Sequence, residues 1–276
     1  MTTTAQTTVR TTVQTEREVP AADADLKQRI ATYWTWRSQG FERAQGVRTV
    51  AQKRAWLDFL RYAAGSPPLA VLDVGTGTGF LALLLAELGH HCKAIDLAPG
   101  MIEQARELAR QRGLAVRFDV GDAESLAEED AAYDVVISRN VLWTLPDPPR
   151  ALRDWQRVLK PGGRLVLVDG DWFDDRIAYR VQKFLGNLWI AVTRLRNPWA
   201  EQRRLRREYD SGFDQHLPMM RPGNRANMPK VVAECGFAGV RLLEMRGVDA
   251  AERIGKTLSQ RLANPNRFFA VIASRP

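Results

Sequence analysis

The segment "VLDVGTGTGF" (residues 71–80) places three glycines and two threonines directly behind an apolar run. A glycine-rich turn that leaves a strand and enters a helix lets a ligand approach the backbone, and the helix N-terminus offers unpaired N–H groups. Gly75, Gly77 and Gly79 depart from the dinucleotide pattern G-x-G-x-x-G, because Phe80 stands where the third glycine belongs. No Lys-Ser or Lys-Thr pair follows, as a phosphate-binding loop requires. The turn therefore predicts a nucleotide-like cofactor that has a ribose and an adenine but needs no phosphate cradle.

Strands and helices alternate around this turn. Apolar residues recur at helical spacing in some segments, and short apolar runs mark the others as buried strands. The predicted helices are 23–38, 48–64, 80–89, 98–113, 148–163 and 227–237, and the predicted strands are 69–75, 92–96, 115–121, 133–139, 164–170, 239–246 and 266–274. Such alternation requires a parallel sheet with helices on both faces. We therefore predict an α/β fold: a Rossmann-like, doubly wound, mostly parallel seven-stranded sheet with N-terminal helices and a helical cap insertion.

The cap insertion is predicted where the alternation stops. Residues 172–225 are rich in aromatic and basic side chains, and an insertion at the carboxyl end of a strand lies over the ligand crevice of such a sheet. Between residues 176 and 225, eleven Lys or Arg stand against four Asp or Glu, which is most of the chain's net charge of +8. Three interpretations stay open: a solvated helical face, a pocket whose arginine pairs with an acidic substrate, and a surface that docks on RNA or anionic membrane.

The predicted organisation has five parts. These are a disordered Thr-rich tail (1–22), N-terminal helices covering the cofactor (23–66), a cofactor-binding core (67–171), the cap (172–225) and the end of the core sheet (226–276). The tail lacks the apolar core of a secretory signal, and no apolar run approaches the roughly 18 residues of a membrane span. Cys92 and Cys235 lack metal-ligand spacing and predict two reduced thiols. These features favour a cytoplasmic protein without a bound metal.

The order of motifs along the core resembles a known family. Asp73 followed by G-x-G-x-G resembles the first motif of the class I S-adenosylmethionine-dependent methyltransferases. Between Leu69 and Gly170, further features of that family follow in order: Asp96 lies 23 residues after Asp73, "GDAESL" follows the third strand, and "LKPGGRLVLVD" precedes and forms the fifth. The ordered set is far more specific than a lone glycine motif. It implies an enzyme of the EC 2.1.1 class that uses S-adenosyl-L-methionine as cofactor.

The resemblance also implies roles for individual residues. Asp96 would bind both ribose hydroxyls, a role that suits a carboxylate with two acceptor oxygens. Leu97 and Met101 would flank the adenine, Asp122 would accept its amino proton, and the Ala123 N–H would meet a ring nitrogen. The predicted cofactor-binding set is completed by Asp73, Gly75, Thr76, Gly77, Gly79 and Ser138, and by Tyr33, Trp36 and Arg37 of the N-terminal helix. The alternatives stay open that Asp73 only shapes the loop, that Asp122 caps a turn, and that the aromatic residues of the N-terminal helix only pack it on the sheet.

The segment "SRNVLWTLPDPP" (residues 138–149) narrows the methyl acceptor by exclusion. It lacks the (N/D/S)-P-P-(Y/F) sequence of nucleic-acid amino methylases, and the chain contains no Pro-Cys nucleophile. The segment resembles the type 11 branch of the family, which acts on small molecules, quinones or lipids. Relatives in that branch often carry His or Asp where Asn140 stands, so one obvious base is missing. We predict Arg139 and Asn140 as catalytic candidates, with His216 of the cap as a candidate base.

The predicted function is a cytoplasmic S-adenosylmethionine-dependent methyltransferase that acts by in-line displacement. Its expected acceptor is a small molecule, either aromatic or acidic, from specialised metabolism. The alternatives are, in order, a quinone or lipid methyltransferase at a membrane surface, an RNA methyltransferase, and a non-catalytic S-adenosylmethionine-binding regulator. Nucleic acid is the disfavoured partner, no transmembrane segment is expected, and peripheral membrane contact stays open. The sequence does not indicate the oligomeric state.

Overall fold

The computed structural model describes residues 21–38, 41, 46–171, 176–194, 216–220, 223–263 and 267–276. The predicted tail up to residue 20 and the basic stretch 195–215 of the predicted cap lie outside the described residues. Helix α1 (Ala21–Ser38) begins two residues before its predicted start, and helix α2 (Val50–Ala64) follows it. A capping box begins α2: the Thr49 hydroxyl accepts the Gln52 N–H, and the Gln52 side chain accepts the Thr49 N–H.

The core elements alternate in the predicted order. They are β1 (Ala70–Val74), α3 (Phe80–Glu87), β2 (His91–Asp96), α4 (Pro99–Arg112), β3 (Val116–Val120), β4 (Tyr133–Arg139), a short 3₁₀ helix (Leu142–Thr144), α5 (Pro148–Val158) and β5 (Leu159–Gly170). The remaining described elements are α6 (Ile177–Arg194), α7 (Asn224–Glu234), β6 (Ala238–Glu244), α8 (Arg246–Arg253), α9 (Leu258–Ala263) and β7 (Phe268–Ser274).

The seven strands form one sheet in the order β3-β2-β1-β4-β5-β7-β6. The first five strands of that order pair in parallel, and β7 runs antiparallel to both β5 and β6. Strand β1 is buried from both sides: Val71 packs into the cluster that includes α2 and α3, while Leu72 packs into the cluster that includes α5 and α7. The predicted doubly wound, mostly parallel seven-stranded sheet is confirmed. Its strand order reverses between β1 and β4, where a crevice opens at the carboxyl ends of the strands.

Some predicted boundaries were wrong. The helix predicted for residues 148–163 ends at Val158, and β5 starts at Leu159, which pairs with Tyr133. Pro161 explains the early end, because a proline disfavours helical backbone in the residue before it. The last predicted helix begins at residue 224 instead of 227. Helices α8 and α9 were not predicted, since segments this short carry little periodic signal.

Two further sequence expectations concern the thiols and the membrane. Cys92 and Cys235 are both free, and burial raises the pKa of the Cys92 thiol to about 12, which makes it unreactive. Among the described residues, no helix combines the length and the apolar character needed to cross a bilayer.

Candidate functional site

A cavity of about 710 Å³ lies at the carboxyl edge of the sheet, centred on the crevice between β1 and β4. It gathers thirteen predicted site residues from five separate segments: Tyr33, Arg37, Asp73, Gly75, Thr76, Gly77, Asp96, Leu97, Met101, Asp122, Ala123, Arg139 and Asn140. Its volume is within the range of cofactor and substrate pockets. Parallel strands bring their carboxyl ends to one edge, so residues far apart in sequence meet here.

Four predicted residues lie outside the cavity lining. Gly79 caps the N-terminus of α3 in a left-handed conformation and packs against neighbouring side chains. The Ser138 hydroxyl donates to the Val74 carbonyl (2.8 Å) and so joins β4 to β1 behind the cavity. Trp36 is 49% exposed, and His216 is also exposed. The structure therefore places these four residues outside the cavity that the other thirteen predicted residues line.

Gly77 leaves room for a ligand, whereas Gly75 does not. Gly77 has φ +58°, and a Cβ built on it would meet only the Phe41 ring, at 3.7 Å. A Cβ on Gly75 would instead clash with the Val141 side chain. Packing therefore requires glycine at 75, while at 77 the missing side chain leaves open space in the cavity wall. Such a cradle fits a cofactor that lies directly against the loop backbone.

Asp96 fastens this cradle to the end of β2. Its Oδ2 accepts the Gly77 N–H (2.8 Å), and its Oδ1 accepts the Ala98 N–H (2.9 Å). Each carboxylate oxygen can accept a second hydrogen bond, so both remain suited to a ligand with two adjacent hydroxyls. Burial raises the pKa of Asp96 to about 6, although the two N–H donors oppose that rise.

Asp73 shapes the same loop from the end of β1. Its Oδ2 accepts both the Thr76 hydroxyl (2.6 Å) and the Ala82 N–H (3.1 Å), which ties the glycine turn to the first residues of α3. Burial raises the pKa of Asp73 to about 6, and the positive charge of Arg139 opposes this. The loop-shaping interpretation of Asp73 thus has direct hydrogen bonds in its favour, and Asp73 also lines the cavity.

Lys27 of α1 is the main site residue that the sequence analysis missed. Its Nζ lies 2.7 Å from Asp122 Oδ2 and 2.6 Å from Glu124 Oε2, and the Glu124 side chain is only 2% exposed. Burial disfavours the charged amine, but the hydrogen bonds to both carboxylates outweigh it and raise the pKa of Lys27. Asp122 also accepts the Glu124 N–H (2.9 Å), so it caps its own turn as well. This ion-pair cluster fastens α1 over the cavity.

The spacing of residues along α1 indicates that this helix lies over the cavity. Lys27, Ile30, Trp34 and Arg37 are spaced by three, four and three residues, which places them on one face of α1, and all four line the cavity. Of the two N-terminal helices predicted to cover the cofactor, only α1 lines it. No α2 residue belongs to the described lining, and α2 instead contributes Trp56 beneath Arg139.

The end of β4 also contributes to the lining of the cavity. The Arg139 guanidinium stacks 3.8 Å from the centroid of the Phe80 ring and 5.5 Å from that of Trp56. Asn140 has φ +60°, and its Oδ1 is buried without a hydrogen-bond partner among the described residues. A buried, unsatisfied acceptor in a strained residue is uncommon, and at a cavity wall it marks a place where a ligand's donor would be satisfied.

The fold and the cavity define a class of protein: a doubly wound α/β domain that binds a nucleotide-like cofactor at its switch point. Comparisons with known proteins specify it further. A family model described as "Methyltransferase domain" matches residues 72–167. A malonyl-[acyl-carrier protein] O-methyltransferase of Serratia marcescens is 31% identical over 172 residues, which cover 62% of each chain. A demethylmenaquinone methyltransferase of Thermus thermophilus is 42% identical over 104 residues, covering 37% of this chain and 47% of the relative.

A solved N-methyltransferase of Haemonchus contortus, in complex with phosphomonomethylethanolamine and S-adenosylhomocysteine, shares the fold. Its TM-score is 0.60 at 15% identity, over 91% of this chain and 60% of that one. The chain spans between 47% and 62% of the length of the two curated relatives named above. Residues 72–167 thus match a methyltransferase domain, and both curated relatives named above are methyltransferases.

Proposed function

We propose that this protein transfers a methyl group from S-adenosylmethionine to a small-molecule acceptor. The observation that carries the proposal is that two chemically different groups of residues line one cavity, here called the donor wall and the acceptor wall. One wall carries the Gly77 cradle and the Asp96 carboxylate, and the other carries Arg139 and Asn140 with aromatic side chains around them. A methyl transferase must hold a donor and an acceptor side by side, and this cavity offers a distinct surface for each.

The donor wall fits S-adenosylmethionine residue by residue. The ribose hydroxyls would donate to Asp96, whose oxygens each keep acceptor capacity beyond their backbone hydrogen bonds. Leu97 and Met101 offer apolar surface for the adenine, next to Asp122 and the Ala123 backbone. The relatives' names support use of this donor, because they are methyltransferases.

The acceptor wall favours a substrate with aromatic and acidic character. Trp34, Trp143 and Met220 line the cavity together with Arg139 and Asn140. Stacking on Phe80 fixes the plane of the Arg139 guanidinium, which could then hydrogen-bond a phenolate or carboxylate oxygen. A positive charge at this position also lowers the pKa of a phenolic acceptor and so favours its reactive, deprotonated form.

Methyl transfer requires little from the protein beyond the alignment of donor and acceptor. S-adenosylmethionine, when bound, supplies an electrophilic methyl carbon for displacement by an oxygen, nitrogen, sulfur or activated carbon. The side chains of the cavity exclude water and orient the acceptor. No histidine belongs to the described lining, and the exposed His216 is not part of it. The described residues therefore support alignment with electrostatic help from Arg139 rather than a histidine base.

A methyl-transfer assay tests this proposal. The full chain is incubated with S-adenosylmethionine labelled in its methyl group and a panel of phenols, carboxylic acids, amines, thiols and quinols. We expect labelled product from a phenol, quinol or carboxylic acid. Asp96→Ala should weaken cofactor binding roughly tenfold to a hundredfold, because two hydroxyls lose an ionised acceptor worth about 1.5–3 kcal/mol.

Asp58→Ala is the matched control, since Asp58 is an exposed aspartate on α2 that pairs with Arg61. It should leave binding and transfer unchanged. A wild-type chain that does not bind S-adenosylmethionine would contradict the proposal. A chain that binds it but labels none of the acceptor classes would instead favour the regulator. We retain the cytoplasmic location as part of this proposal.

A further inference from the structure

Helix α6 turns its apolar side chains to solvent. Ile177, Val181, Phe184, Leu185, Leu188, Trp189 and Val192, here called the apolar face of α6, are 42–79% exposed. Most of them recur at intervals of three and four residues, so they form one continuous stripe along the helix. Single exposed apolar residues are ordinary, but a contiguous stripe of this length marks an interaction surface.

The opposite side of α6 is fixed against the protein. Gly186 packs so closely on the backbone of Leu262 and Ala263 in α9 that no Cβ would fit there. Asn187 is buried, and Lys183 lines the cavity. The small and polar residues thus face inward, whereas the side chains of the apolar face are largely exposed.

The charge of the residues beside the apolar face indicates which kind of partner this face fits. Helix α6 contains no Asp or Glu, and the exposed Arg176 and Arg180 lie beside the apolar face. Along the sequence, residues 176–225 include eleven Lys or Arg and four Asp or Glu. An amphipathic helix with basic flanks and aromatic residues on its apolar side is typical of the interface of an anionic bilayer. Trp189 suits the same boundary, because its ring is apolar and its N–H can reach water.

We propose that the apolar face of α6 docks in the surface of an anionic lipid bilayer. The inner side of the same helix supplies Lys183 to the cavity, and Met220 lies in the same wall. A docked α6 would therefore place one wall of the cavity next to the lipid, from which an apolar acceptor could enter. This last step rests on the proposed function, whereas the docking itself does not.

Vesicle flotation of the full chain tests the docking without requiring turnover. Vesicles of phosphatidylcholine alone are compared with vesicles of phosphatidylcholine and phosphatidylglycerol, at low and at physiological salt. We expect the wild-type chain to float with the anionic vesicles and to bind less as salt rises. A double variant, Phe184→Ser with Leu188→Ser, should lower the partition at least about tenfold, because two anchoring side chains are lost.

Two matched controls separate docking from general stickiness and charge. Val50→Ser with Val120→Ser removes two exposed valines of other elements, 86% and 53% exposed against 56% and 42% for Phe184 and Leu188, and should float like the wild type. Arg180→Glu should lower binding to anionic vesicles about tenfold or more, while Arg54→Glu on α2 should not. Thermal melts confirm that each variant is folded.

Three results would overturn the proposal. The first is flotation that survives the Phe184 and Leu188 substitutions. The second is a wild-type chain that binds neither kind of vesicle but forms dimers. If the same substitutions dissociate these dimers, a second copy of the chain covers the face. The third is a chain that neither floats nor dimerises, because the face would then bind neither lipid nor a second copy. A wild-type chain that transfers methyl but does not float would overturn the docking alone, and a wild-type chain that floats but transfers no methyl would overturn only the proposed function.

Discussion

Asp96 performs two tasks with one carboxylate. It fixes the glycine loop through the Gly77 N–H and, in the proposed function, it accepts the ribose hydroxyls. Burial sets its pKa near 6, well above that of an exposed aspartate, and Asp73 is raised to a similar value. Both groups therefore titrate in a range where binding can be measured.

Cofactor affinity should fall as the pH falls through about 6. The raised pKa means that the empty site binds a proton in this range, while hydroxyl donors require the ionised carboxylate, so binding must release that proton. For one such ionisation the affinity drops about tenfold for each pH unit below the pKa. Calorimetry from pH 7.5 to 5 in buffers of different ionisation enthalpy measures both effects. Asp96→Asn should flatten the dependence, and an affinity that is constant over this range in the wild type would contradict the assignment.

Asn140→Gly should lower turnover without harming the fold. Glycine adopts φ +60° readily, so the variant relieves backbone strain and removes a buried acceptor that has no partner among the described residues. The melting temperature should stay equal or rise, and cofactor affinity should be unchanged, while kcat falls because the acceptor loses a positioning contact. Asn140→Ala is the less informative variant, because alanine in this conformation adds strain of about 1 kcal/mol. Full turnover in Asn140→Gly would remove the residue from the acceptor wall.

At the level of elements, α1 and the loop after β3 act as one unit. Lys27 joins them through Asp122 and the buried Glu124, and Gly100 lies directly against Thr35 and Ser38 where α1 crosses α4. Because α1 lies over the cavity, a ligand that leaves on this side must separate these contacts.

Lys27→Met should speed cofactor release. The substitution keeps the length of the side chain but leaves two carboxylates without their cation, which weakens the closure of α1 by about 1–3 kcal/mol. The dissociation rate of S-adenosylhomocysteine, followed by stopped-flow fluorescence, should rise roughly tenfold or more. Lys53→Met is the control, since Lys53 pairs with Glu87 at the same 2.7 Å but is more exposed and lies outside the cavity lining. Equal release rates in the wild type and in Lys27→Met would show that α1 does not gate the site.

The helices and strands that the sequence predicted well have clear patterns of apolar and turn residues within their own segments. β1, α3 and β2 are apolar segments bounded by glycine or aspartate, and each was found with only small shifts at its ends. The site residues at the ends of strands followed from the same pattern, because parallel strands share one edge. Lys27 was missed because its partners Asp122 and Glu124 lie about a hundred residues away, a contact that local spacing does not encode. Ser138 lies outside the cavity lining for a related reason: only the pairing of β4 with β1 turns its hydroxyl to Val74.

At the scale of the whole molecule, the charge is distributed unevenly along the sequence. The sheet carries mixed charges that pair across its loops, while segment 176–225 holds most of the net charge of +8. The sequence left the role of this segment open. A basic run is equally compatible with a solvated surface, with lipid binding and with nucleic-acid binding. The exposure of the apolar face of α6 favours the proposed docking on lipid, since phosphate binding alone needs no apolar stripe.

RNA binding should be weak and should vanish with salt. A net positive chain attracts any polyanion, but binding that rests on counterion release falls steeply as salt rises. Filter binding of an unstructured RNA at low and at physiological salt measures the slope. We expect binding only at low salt, without dependence on sequence. Tight binding at physiological salt that is lost when Arg203, Arg204, Arg206 and Arg207 are neutralised would contradict a small-molecule acceptor.

In the proposed function S-adenosylmethionine lies against Gly77, and a pair of glycine variants tests this placement. Gly77 and Gly113 have similar φ values, +58° and +64°, and neither Cβ would clash, but only Gly77 faces the cavity. Leucine at either position costs about 1–2 kcal/mol of backbone strain, so the two variants are matched in stability. Calorimetric titration with S-adenosylmethionine should give equal affinities for the wild type and Gly113→Leu, and a loss of at least about tenfold for Gly77→Leu. Unchanged affinity in a folded Gly77→Leu variant would contradict the account.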